Sequence, residues 1–338
     1  MGVPFGKFRF GAMSPGPKNL ITDVPGVLVG HVTLSGEKTE TGVTAVLPHR
    51  GNLFLHKVPA AVHVINGFGK SAGLVQIQEL GTIESPILLT NTFGVGTAMN
   101  GLLSYLLEQN PEIGDTTGTV NPLVFECNDG VINHIRCRAV TEEHVLQAIC
   151  SASDTFDEGS VGGGRGMICY GLKGGIGSAS RVIHMGEQRY IVGALLMTNF
   201  GRKADLMLCG DPIGTRITSG ETTVDQGSVI VILATDAPLN ASQLTRCVRR
   251  AQNGLARTGS YTGNHSGEIA VMFSTANQLP HFPTAQSVSV EYLHEDFLDP
   301  FFQAVTECVE ESVISSMLHS PAMPDRKGNT VHSLTEYI

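Results

Sequence analysis

Seven short runs in this chain are largely apolar or β-branched: Val27–Val32, Thr44–Leu47, Ala61–Ile65, Pro86–Thr90, Tyr190–Met197, Ser228–Ala234 and Glu268–Phe273. Runs of that length with little polar alternation read as strands covered on both faces. Helical patterns lie between and after them. Asn240 is an N-cap with Gln243 three positions on, and Leu244, Cys247, Val248, Ala251 and Leu255 form one stripe that ends at Gly259, so the spacing predicts one helix over Asn240–Gly259. Asp299 to Leu318 is amphipathic by the same count. Alternating buried strands and one-faced helices place the chain in the α/β class, with sheet layers covered by helices.

At 338 residues the chain suits one large or two ordinary domains. A charged fraction of 16% beside 41% apolar residues, with 40 glycines, describes a compact globular protein with many tight turns. The net charge of −9, and the lack of a Lys/Arg cluster beyond Arg249-Arg250, argue against a nucleic-acid partner. Seven cysteines without a C-x-x-C pair argue against a disulfide framework and for reduced, mostly buried thiols. The Met1–Asp23 segment lacks the apolar centre of a secretory signal, and no run approaches the ~18 apolar residues of a membrane span, so a cytoplasmic location without membrane contact is expected.

One polar stretch, Gly214–Gly227, runs directly into the apolar strand beginning at Ser228 and reads as an accessible, mobile loop. Taken alone, Gly227-Ser228 is a common strand entry. Its residue types nevertheless suit a hydroxyl that attacks the preceding carbonyl, after which the freed α-amine serves as base. Downstream, Ser266 and Glu268 stand two apart at the mouth of a strand, so an extended backbone points both the same way and lets the carboxylate orient a hydroxyl or ammonium group. A turn with a solvated edge is the bland reading of the same residues. His265 then faces the other way and is taken as structural or exposed. The glycine clusters at 94–96, 162–166 and 171–177 are not a phosphate-binding loop, and the 12 histidines never form H-E-x-x-H. No G-x-S-x-G elbow is present. The expectation is an enzyme without metal or cofactor.

Ile21-Thr22-Asp23-Val24-Pro25-Gly26-Val27, Asn66-Gly67-Phe68-Gly69-Lys70, Thr90-Asn91-Thr92, Gly171-Leu172-Lys173-Gly174-Gly175-Ile176-Gly177, Ala234-Thr235-Asp236-Ala237-Pro238-Leu239 and Ser274-Thr275-Ala276-Asn277 follow one another from near residue 20 to near residue 280. In these blocks the chain resembles the DmpA-type L-aminopeptidase/D-esterases and the related β-aminopeptidases. The resemblance implies a single catalytic domain over residues 1–338, built as a four-layer αββα sandwich. It also implies self-cleavage before Ser228 into chains 1–227 and 228–338 that stay folded together and associate into a homo-oligomer of such units. Ser228 matches the nucleophile, Ser266 and Glu268 its assisting pair, and Asn199 a donor to the oxyanion. Glu126 matches the acidic residue that receives the substrate's amino group, with Asn128 beside it in the substrate-binding segment. The implied substrates are small peptides, amino-acid amides or esters.

The segment Phe125-Glu126-Cys127-Asn128-Asp129-Gly130-Val131-Ile132-Asn133-His134 departs from the family's pattern, and Val131 and His134 imply a roomier, less acidic wall. Two other readings remain open. One is an acyltransferase related to ornithine acetyltransferase, against which a serine rather than threonine nucleophile counts. The other is an unprocessed homologue that acts as a binding protein.

Overall fold

The structure is a computed structural model that describes residues 8–218 and 227–338. All seven apolar runs form strands, and two more join them. We number the principal ones β1 (Leu28–Gly36), β2 (Thr39–Leu47), β3 (His56–Asn66), β4 (Ile87–Asn91), β5 (Leu123–Cys127), β6 (Ile176–Met185), β7 (Gln188–Asn199), β8 (Ser228–Thr235) and β9 (Gly267–Ser274). The main helices are α1 (Val95–Gln109), α2 (Glu142–Cys150), α3 (Ala241–Val248), α4 (Ala251–Arg257) and α5 (Asp299–Leu318).

The strands form two sheets. The smaller runs β1-β2-β4-β5; the larger runs β3-β9-β8-β7-β6, with the short Leu279–Pro280 pairing at its β3 edge. Most neighbours are antiparallel, but β4 with β5 and β8 with β9 are parallel. The continuous apolar runs have the expected cause: β8 and β9 are buried along their whole length because both faces of the larger sheet are covered.

Three apolar layers follow. Val29, Val46, Leu89 and Phe125 of the smaller sheet meet Leu195, Met197, Ile230, Ile232 and Val271 of the larger, forming the core between sheets. On the outer face of the smaller sheet, Ala98, Leu102 and Leu106 of α1 and Val145 and Ile149 of α2 cover Ala45, Leu88 and Val124. On the far side of the larger sheet, Leu244, Cys247, Leu255, Val309 and Val313 from α3 to α5 cover Val229, Val231, Ala270 and Met272. The order is helix, sheet, sheet, helix, the αββα sandwich that the resemblance implies.

Three expectations change. The helix over Asn240–Gly259 starts at the expected cap, with Asn240 and Gln243 bonding reciprocally, but it breaks between Val248 and Ala251. The Arg250 guanidinium lies 4.0 Å from the Phe302 ring centroid and donates to the Arg246 carbonyl, while the Arg250 N–H bonds Cys247 O instead. Helix α5 is not one-faced: nearly every residue from Ala304 to Leu318 is buried. Its carboxylates are held by tertiary partners, Glu307 and Glu311 by Arg181 and Glu310 by Arg257. The polar stretch before Ser228 begins with a helical turn, Ile213–Ile217, rather than a loop. Residues 219–226, the rest of the expected loop, lie outside the described residues.

Candidate active site

The strand pairings bring Ser228, Asn199, Ser266 and Glu268 to one end of the larger sheet. Ser228 opens β8, and its register partners are Asn199, the last residue of β7, and Gly267, the first of β9. Gly227 must be glycine for a steric reason, since a Cβ there would stand 2.1 Å from Asn199 O and 2.5 Å from Phe200 Cα. Its carbonyl oxygen accepts a 3.1 Å bond from the Gly267 N–H. Gly267 is equally confined, because its Cβ would meet Phe68 O at 2.3 Å.

Alternation along the strands decides which groups can meet. Ile230 and Ile232, two and four positions after Ser228, enter the core between sheets, and Ser228 shares their face. Its Oγ is buried and has no hydrogen-bond partner of ordinary geometry among the described residues. The Cys127 thiol neighbours it: burial drives that thiol's pKa well up, and the Ser228 hydroxyl opposes the shift.

Asn199 is held at both ends of its amide. Oδ1 accepts from the Ile168 N–H at 2.9 Å, and Nδ2 donates to Asn128 O at 3.1 Å. These partners fix which end is nitrogen and leave its second N–H available. Asn128 therefore contributes its carbonyl; its exposed side chain caps its own turn through the Gly130 N–H.

Ser266 and Glu268 do turn the same way, and Ser266 Oγ donates to Glu268 Oε1 at 3.0 Å with both residues fully buried. Ala270 and Met272, on the same face as Glu268, belong to the helix-side core. Glu268 is thus on the face of the sheet opposite the Ser228 side chain. His265 is exposed, its ring edge-on to Phe68 at 5.3 Å.

Glu126 and Cys127 alternate at the end of β5, Cys127 pointing into the core between sheets and Glu126 away from it. The Glu126 carboxylate accepts from the Lys70 N–H at 2.8 Å and from the Thr92 hydroxyl. Two acceptances leave lone pairs for an ammonium group. Val131 is exposed, whereas His134 lies on a cleft of about 300 Å³ with Lys38, Glu40 and Arg165. Among the described residues, no group of three His, Cys, Asp or Glu side chains could hold a metal ion.

Several contributors carry no signature in the sequence. The Gly267, Ile168 and Lys70 N–H groups are backbone donors, and only the tertiary fold aims them. Lys173 is buried with Nζ donating to Met167 O at 2.9 Å and Gly174 O at 2.6 Å, so it braces the peptide whose N–H holds Asn199. The glycine-rich block around Lys173 was a visible signal, although not of this role.

Two sheets sandwiched between helices, with a buried serine opening a central strand, define the class: the N-terminal-nucleophile hydrolase fold of the serine aminopeptidases. The chain belongs to peptidase family S58, whose profile matches residues 19–331. It is 37% identical over 360 aligned positions to the beta-peptidyl aminopeptidase BapA of Sphingosinicella microcystinivorans, covering 99% of this chain and 88% of that one. The crystal structure of the PH0078 protein from Pyrococcus horikoshii OT3 superposes with a TM-score of 0.94 at 48% identity, covering 99% of this chain and 96% of that one. The L-aminopeptidase D-Ala-esterase/amidase of Ochrobactrum anthropi, described as a prototype for the serine aminopeptidases, gives a TM-score of 0.90 at 36% identity, covering 96% and 93%. The protein is accordingly a hydrolase of the serine aminopeptidase class.

Proposed function

We propose that the chain cuts its own Gly227–Ser228 bond and then works as an aminopeptidase or amidase whose nucleophile is Ser228 at the new N-terminus. The observation that carries this reading is the bond itself. Its carbonyl oxygen rests on the Gly267 N–H, and the adjoining hydroxyl is buried beside the Cys127 thiol with no hydrogen-bond partner of ordinary geometry among the described residues. In the first reaction Ser228 Oγ adds to the Gly227 carbonyl carbon, the C–N bond breaks, and the nitrogen leaves as the α-amine. Water then hydrolyses the ester to a Gly227 carboxylate and a free hydroxyl. The Gly267 N–H stands where negative charge develops on oxygen.

In turnover the Ser228 α-amine takes the proton of its own Oγ as that oxygen attacks the substrate carbonyl. The Ser266–Glu268 pair, on the sheet face opposite the Ser228 side chain, suits orienting that amine and stabilising it once protonated. The second N–H of Asn199 donates to the oxyanion. Collapse expels the leaving amine and gives an acyl-enzyme ester, which water hydrolyses.

Glu126 reads the substrate's free amino group. An ion pair in a partly dry site contributes several kcal/mol when both partners are held, and Glu126 is held by Lys70 and Thr92. Steady-state kinetics on matched substrates test this: Glu126→Gln is expected to raise KM for amino-acid amides far more than for an N-acylated ester. Equal losses on both substrates would make Glu126 a structural residue. Substrates with a free α- or β-amino group are the expected class.

A further inference from the structure

Thr262 has a positive φ of 59°, and it is the one β-branched residue with a positive φ among the described residues. The left-handed region crowds a branched Cβ against the backbone, and residues kept there despite the strain cluster at functional sites. Glycine follows immediately at Gly263, so a residue suited to that conformation is available one position away. The strain is retained at the threonine, and the contact made by its side chain gives a reason. Thr262 Oγ1 donates at 2.9 Å to Glu268 Oε2, while Ser266 Oγ donates at 3.0 Å to Oε1 of the same carboxylate.

We propose that Thr262 is a positioning residue whose hydroxyl, delivered by its strained backbone, fixes the rotation of the Glu268 carboxylate toward the main-chain nitrogen of Ser228. The inference rests on the reading that Glu268 serves Ser228. The terminal bond of a glutamate carboxylate is a soft two-fold torsion. With a hydroxyl on each oxygen it cannot turn without breaking a charge-assisted bond. The surrounding loop is pinned independently of Thr262. Ser266 N–H donates to Gly263 O at 2.9 Å, and the Asn66 amide donates to Gly263, Asn264 and Ser266 carbonyls. The strand entry therefore does not need the Thr262 hydroxyl to hold its course, and the half-buried side chain can be changed without opening the core.

The test is a set of three substitutions at Thr262 beside Glu268→Gln, each measured for kcat, KM, rate of self-cleavage and thermal midpoint. Thr262→Val keeps the shape and the strain but lacks the hydroxyl; kcat is expected to fall about tenfold to a hundredfold, the worth of one hydrogen bond to a charged group, with KM little changed. Thr262→Ser keeps the hydroxyl and is expected to retain kcat within about twofold. Thr262→Gly removes both hydroxyl and strain, so its kcat falls like that of the valine variant while its thermal midpoint lies above it. A folded valine or glycine variant with wild-type kcat, alongside a Glu268→Gln variant that has lost it, overturns the role of Thr262 alone. If Glu268→Gln itself retains wild-type kcat, the underlying reading of Glu268 fails instead. Should the valine variant not fold, the contrast between serine and glycine decides the same question.

Discussion

Asn199 can present its amide in only one orientation. The Ile168 N–H demands an oxygen and the Asn128 carbonyl demands a nitrogen, at 2.9 and 3.1 Å. The peptide that supplies the Ile168 N–H is itself anchored through Met167 O by the buried Lys173 Nζ. In the proposed oxyanion role, a donor fixed before the reaction stabilises the developing charge without reorganisation, so its contribution falls on the transition state rather than on substrate binding. Asn199→Ala is expected to lower kcat on the order of 10²–10³-fold with KM nearly unchanged. Stopped assays on amino-acid amides check this. A folded Asn199→Ala enzyme with wild-type kcat would reduce Asn199 to a strand-end residue.

The turn after β5 follows directly on Glu126, the carboxylate proposed to receive the substrate's amine, and carries the Asn128 carbonyl that accepts from Asn199; Asp129 organises it. Asp129 O accepts from the Ile132 and Asn133 N–H groups. The Asn133 side chain donates to Asp129 Oδ1 and accepts from the Glu40 N–H, which ties the turn to β2. Burial pushes the Asp129 carboxyl up to about 6, against opposing hydrogen bonds from Thr41 and Asn133. The folded protein therefore binds this proton more tightly than the unfolded chain. The resulting stability is fully present below about pH 4 and is lost as pH rises through about 6, a change on the order of 3 kcal/mol. Asp129→Asn lacks the titration, so chemical denaturation between pH 4 and 7 is expected to show wild type losing stability relative to the variant. Parallel pH profiles for the two proteins would place the Asp129 proton elsewhere.

For the whole molecule, seven strands declared themselves as apolar runs, whereas β5, interrupted by Glu126, and β6 did not. In β6, Ser178, Ser180 and Arg181 look like loop residues, yet each is satisfied inside the fold, by Ile21 N–H and Ala194 O, by Gly16 N–H and Asp23, and by Glu307 and Glu311. Tertiary partners of that kind leave no periodicity, and the same is true of the Arg250–Phe302 stacking that divides α3 from α4. Of the proposed site, the side chains of Ser228, Ser266 and Glu268 could be named from the sequence and Asn199 from the resemblance, while the backbone donors and the strained Thr262 required coordinates. The fold also bears on what cleavage would do. Strand β8 lies between β7 and β9, β9 pairs with β3, and α5 packs on β6 and β7, so residues 228–338 are woven through residues 8–218. Fragments cut at Gly227–Ser228 would remain one particle under native conditions. The central claim is the cut itself, and intact-mass measurement of the purified protein under denaturing conditions tests it most directly. Wild type is predicted to resolve into fragments 1–227 and 228–338 without added protease, and Ser228→Ala to remain a single 338-residue chain. A fully active wild type that persists as one uncut chain would contradict the account.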